Sequence, residues 1–164
     1  MNILKFKKYN EGYLDIDFDS HPTRINNTTY LVQVDGEKFE VIFHKRWMDS
    51  DPDCEMSKSY NVYDREYYSS DRSNPFKEDT GVDPRKVVIG VTRATIDFLE
   101  RNKPRKVFIG NIDMKNEEGK RLPDSFNKRN RINYYYLEKM LPSGWDLERS
   151  TGDLGSSISI VRKK

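Results

Sequence analysis

The chain of 164 residues has one cysteine, Cys54. A single thiol closes no intramolecular disulfide and builds no multi-cysteine zinc site, so a reducing compartment is the simple expectation. No apolar run approaches the roughly 18–20 residues that a helix needs to span a bilayer. The first residues, Met1-Asn2-Ile3-Leu4-Lys5-Phe6-Lys7-Lys8, carry no long apolar stretch of the signal-peptide kind. A cytoplasmic protein with no membrane partner is expected. An excess of one charge is also missing. Twenty-nine basic and 27 acidic residues leave +2, which implies no polyanion partner from net charge alone. There is no Gly-rich phosphate loop, because Thr80-Gly81-Val82-Asp83-Pro84 lacks a second glycine. No Gly-x-Ser-x-Gly elbow presents a serine to His21 or His44, the two histidines. No cofactor is expected, and the balance leans away from catalysis.

What is present argues for one packed domain. Aromatics make up 12% of the chain, with ten Tyr and eight Phe, which is too aromatic for a disordered tail. The length suffices for one core without staples. The patterning predicts an α+β fold, mainly an antiparallel twisted sheet with two helices. It divides into a strand-rich half over 1–63, a long loop over 64–82 and a helix–strand–helix–strand–strand half over 83–164. Short strands are predicted at 3–9, 13–18 and 59–63. Runs at 28–34 and 38–44 flank Asp35-Gly36, a strong hairpin signal. Asp83-Pro84 reads as a helix start, an acidic N-cap before a first-turn proline. A helix over 84–102 follows, with Val87, Val91, Ala94 and Phe98 on one face and Val88, Thr95 and Leu99 beside them. Gly90 within it marks close packing. Residues 106–112 read as a buried strand. Ser125 is the expected cap of a second helix over 126–141, with Phe126, Tyr134, Leu137 and Leu141 facing inward, Met140 alongside and Asn130 interrupting. Strands at 145–149 and 157–162 close the chain around a turn at 151–155.

Several clusters could carry chemistry. Asp15, Asp17 and Asp19 share one face of a strand and could hold a hard cation. Ser20 and Asn26 stand where a calcium loop needs Gly and Glu, so an EF-hand is excluded, and the wet face of an edge strand explains the same pattern. Asp49, Asp51, Asp53 and Glu55 surround Cys54 and would raise its thiol pKa, which argues against a nucleophile. Arg121, Lys128, Arg129 and Arg131, followed by Tyr134, Tyr135 and Tyr136, mix cations with aromatics as single-stranded nucleic-acid sites do. Successive helical residues point about 100° apart, however, so the three rings cannot form one platform. Tyr135 and the basic residues stand equally well for contacts with another protein.

The order helix 84–102, strand 106–112, helix 126–141, strand, strand resembles the C-terminal half of GNAT-type acetyltransferases over about 80 residues. Asn130, Tyr136, Gly144 and Trp145 are similar to the Asn, Tyr and Gly-Phe of that superfamily's late helix and turn. The resemblance implies a GNAT-like topology, with Tyr136 as general acid if the chain is an acyltransferase. The superfamily's Arg/Gln-x-x-Gly-x-Gly/Ala loop is absent before Val87. The stretches Val87–Leu99, Pro104–Ile109 and Arg131–Leu137, in a short, charged, tyrosine-rich chain, also resemble small uncharacterised tailed-phage proteins. That resemblance implies a phage origin more than an activity. With no assembled site, many tyrosines and charged loops, the first expectation is a non-catalytic protein, a virion component or a host-takeover factor whose partner is another protein; the divergent acyltransferase is the alternative and nucleic-acid binding the further alternative.

Overall fold

The computed structural model describes residues 27–45, 61–70, 81–122 and 124–164. The expected strands at 3–9 and 13–18, the acids Asp15, Asp17 and Asp19, and the Cys54 segment lie outside the described residues. The elements are β1 (Asn27–Val34), β2 (Glu37–Lys45), β3 (Val62–Ser69), α1 (Pro84–Asn102), β4 (Lys106–Ile112), α2 (Asp124–Met140), β5 (Trp145–Gly152) and β6 (Gly155–Arg162). They form one α+β domain around a six-stranded sheet of order β1-β2-β3-β4-β6-β5. All neighbours are antiparallel except β3 and β4.

The first hairpin turns at Asp35 (φ 49°) and Gly36 (φ 85°). Two successive positive φ angles are what a two-residue type I′ turn needs, and Asp-Gly supplies them at low cost. Period-2 alternation then puts Tyr30, Val32, Val34, Phe39, Val41 and Phe43 on one buried face. α1 packs there. Asp83 caps it by accepting from the Arg85 N–H, and Lys103 closes it in the left-handed conformation. Phe98 stacks on Phe43 with ring centroids 3.9 Å apart. Gly90 lies so close to β1 that a Cβ there would meet Val32 at 2.7 Å. Close packing at this glycine was the expectation.

Expected bounds shift in three places. β5 runs on to Gly152 and β6 begins at Gly155, so the turn expected at 151–155 narrows. α2 begins at Asp124, ahead of the expected cap Ser125. The strand expected at 59–63 starts at Val62 and runs to Ser69, so the first part of the expected 64–82 loop is sheet. In β3, Tyr63, Arg65, Tyr67 and Ser69 share the helix-facing side, as their partners Phe43, Val41 and Phe39 show. An arginine in an inward slot disguises the alternation.

Candidate functional site: a cleft where the sheet opens

β3 and β4 are the two parallel strands at the centre of the sheet, and they pair only over Val62–Lys106, Tyr63–Val107 and Asp64–Phe108. Beyond Phe108 the register of β4 against β6 shifts, so that Gly110 opposes Ile158. Such a bulge bends its strand and raises its local twist. β3 stays laddered to β2, β4 stays laddered to β6, and the sheet opens between them. The opening is a cleft of about 660 Å³ lined by residues 64–68 of β3, 108–111 of β4, Ser157 of β6, and Arg129 and Asn130 of α2.

α2 closes the inner side. Asn130 Nδ2 donates to the Asn111 carbonyl at 2.6 Å. It lies against Gly110, where a Cβ would fall 2.9 Å from both Asn130 amide atoms. Gly110 also has φ 153°. Arg129 donates to the Tyr67 carbonyl, and its guanidinium lies over the Tyr67 ring, 3.5 Å from the centroid. Thus α2 side chains serve two strand carbonyls that no ladder pairs.

The two walls differ in charge. Asp64 and Glu66 alternate to the face away from the helices, where Glu66 lies 3.3 Å from His44 Nε2. Arg65 and Tyr67 point to the helix face. Arg65 is buried, 4% exposed. It donates from Nη1 to Thr95 Oγ1 (3.0 Å) on α1 and from Nη2 to Asn133 Oδ1 (2.8 Å) on α2. Its Nε has no hydrogen-bond partner, and among the described residues no carboxylate pairs with it. Burial pushes its pKa down to about 10, which leaves it cationic at neutral pH. Buried charges are ordinarily paired. Asn133, fully buried, also donates from Nδ2 to the Tyr67 hydroxyl at 3.0 Å and to the Arg129 carbonyl. Arg65, Tyr67 and Asn133 are therefore one network under the seam between the helices.

The structure disperses most of the residues singled out in the sequence. Arg129 and Asn130 reach the cleft; Tyr136 does not. It lines a second, smaller hollow of about 430 Å³ with Ile132, Tyr135, Arg131 and Arg85. Arg121 and Arg131 converge with Arg149 on the Asp113 carboxylate at 3.1, 3.0 and 2.6 Å. Lys128 is exposed. Tyr135 is 49% exposed and meets the Lys139 ammonium 4.4 Å from its ring centroid. The basic residues thus form no single stripe, and Tyr135 and Tyr136 meet edge to face at 86° rather than as a stacking platform. Arg65, Tyr67, Glu66 and Asn133 were not singled out in the sequence. The one available signal was the alternation Tyr63-x-Arg65-x-Tyr67, visible only once 62–69 is read as a strand. No helix among the described residues is long and apolar enough to cross a membrane, and none of their His, Cys, Asp and Glu side chains group into a metal site. Compared with known proteins, the chain matches no family model, no curated protein and no solved structure.

Proposed function

We propose that the chain is a divergent acyltransferase of GNAT-like architecture, with the pantetheine arm of an acyl-CoA lying in the opening between β3 and β4. One observation carries this reading: parallel central strands that pair over three residues and then diverge around a bulge. Diverging strands offer backbone groups to an extended, amide-bearing chain, as a sheet edge offers them to a peptide strand. Asn130, which the sequence likened to the Asn of that superfamily's late helix, lies against Gly110 in the cleft wall and supports the same reading.

On this reading the acceptor approaches from the face that carries Glu66. An amine attacks the thioester carbonyl, the C–N bond forms and the C–S bond breaks. Glu66, with His44 beside it, takes the proton that the amine loses, and the departing thiolate takes up a proton. Tyr136 lies in the other hollow and has no part in this scheme. Donor phosphates find no Gly-rich loop, so affinity rests on the cleft.

Calorimetry with acetyl-CoA and with free CoA tests the proposal. Saturable binding that weakens in Gly110→Val, whose side chain would enter the cleft wall, is the expected result. No heat at the highest practical concentration overturns it. In that case co-purification from lysate becomes the useful experiment, because a role in macromolecular contacts would then be the better reading.

A further inference from the structure

We propose that the inner end of the cleft is a carboxylate site: Arg65, with the Tyr67 hydroxyl beside it and Arg129 behind, receives the anionic end of a small organic acid or of an acyl chain that ends in a carboxylate.

The starting point is a guanidinium that is 4% exposed and carries an Nε–H with no acceptor. Its two acceptors, Thr95 Oγ1 and Asn133 Oδ1, are neutral. Both acids of the same strand segment, Asp64 and Glu66, alternate to the other face. The charged group at its side is a second cation, Arg129, over the shared Tyr67 ring. Two cations and an unspent donor in a partly desolvated cleft are what an anion completes.

The donor count favours a carboxylate over a phosphate. The Tyr67 hydroxyl already accepts from Asn133 Nδ2, so its own hydrogen remains to donate. Asn133 bonds both Arg65 and Tyr67, which places that O–H next to the guanidinium. An Arg65 N–H and a Tyr67 O–H match the two oxygens of one carboxylate, whereas a phosphate dianion asks for more donors and more charge. The competing explanation is that Arg65 only ties β3 to both helices. The inference does not depend on acyl transfer, since a free acid would satisfy the same site.

The test titrates the full chain, at constant ionic strength, with succinate, inorganic phosphate, acetyl-CoA and succinyl-CoA, reading heat and melting temperature. The site predicts a saturable response to succinate or to succinyl-CoA. The first identifies a free acid as ligand and the second, alone, an acyl chain. Arg65→Met should weaken that response by roughly tenfold or more, the scale of a lost charge-assisted hydrogen bond. Arg65→Lys should recover it only in part, because the fork is gone. If Arg65→Met does not fold, Tyr67→Phe and Arg129→Gln are read instead, each with weaker binding expected. Four results overturn the site: no response to either succinyl compound, phosphate bound as well as succinate, acetyl-CoA bound as well as succinyl-CoA with no response to succinate, or variants that bind like the parent chain. Succinate binding without either thioester upholds the carboxylate site while the acyltransferase proposal fails; acetyl-CoA binding with no carboxylate preference does the reverse.

Discussion

Arg65 of β3 donates to Asn133 of α2 at 2.8 Å across 68 residues of chain, and both side chains are buried. The bond ties the open half of the sheet to the helix that closes the cleft. Asn133→Ala deletes an acceptor for a buried cation and two donated bonds at once. The expected loss is about 3–5 kcal/mol, read as a shifted urea midpoint at unchanged slope. A loss under about 1 kcal/mol would show that water replaces the amide and that the network is not a unit.

Gly90→Ala should destabilise although alanine is the better helix former. Helix propensity favours the change by about 1 kcal/mol. Against that, the new methyl would sit 2.7 Å from Val32 Cγ1 in the core. Overpacking of this kind costs about 1–3 kcal/mol. A net loss in thermal unfolding is the expected outcome, and Val32→Ala in the same chain should restore part of it. A more stable Gly90→Ala would show that β1 and α1 separate easily.

Alkaline stability should depend on Tyr30. Its hydroxyl donates to Asp97 Oδ2 at 3.1 Å, and burial together with that carboxylate pushes its pKa well above the ordinary value near 10. The folded state therefore holds this proton more tightly than the unfolded chain. The resulting stability is fully present below about pH 10 and is lost as pH rises toward the folded-state value, with a slope of up to about 1.4 kcal/mol per pH unit. Tyr63, raised by burial, adds in the same direction. Arg65 acts oppositely: burial holds its folded pKa at about 10, below the ordinary guanidinium value, so the cost of burying its charge is relieved above pH 10. Tyr30→Phe should flatten the alkaline fall. An identical slope in parent and variant would mean that the hydroxyl titrates normally.

Asp113 holds Arg121, Arg131 and Arg149 and has φ 52°. Asn tolerates that backbone conformation and removes only the charge. Asp113→Asn should cost about 1 kcal/mol at low ionic strength, with much of the difference gone in 1 M salt, where the Debye length is about 3 Å. Chemical denaturation by urea at both salt levels checks it. A salt-independent loss would mean that the side chain acts through geometry and not charge.

Where local signals agreed, the sequence was enough. Asp35-Gly36 named its hairpin, and Asp83-Pro84 named the start of α1, because turn and cap chemistry is short-range. The β4 strand followed from the apolar run after Pro104. β3 was half hidden, since an inward arginine reads as surface unless its partners are known. Asn133 was hidden for the same reason on α2. The cleft itself belongs to no stretch of sequence. It arises where strands whose paired residues lie 44 positions apart, as Asp64 and Phe108 do, are joined through α1 and then stop pairing, and a bulge between Phe108 and Gly110 gives no local mark.

The short β3–β4 ladder has a consequence for how the chain folds. The β1-β2 and β5-β6 hairpins close over tight turns and can form early, as low-separation contacts do. The central seam joins Val62 to Lys106 and must wait for α1 to return the chain. It then supplies few pairings to hold what it joins. Backbone amides at this junction should therefore exchange with deuterium ahead of those in the flanking ladders, so that the two sides of the sheet behave as separate cooperative units bridged by a helix.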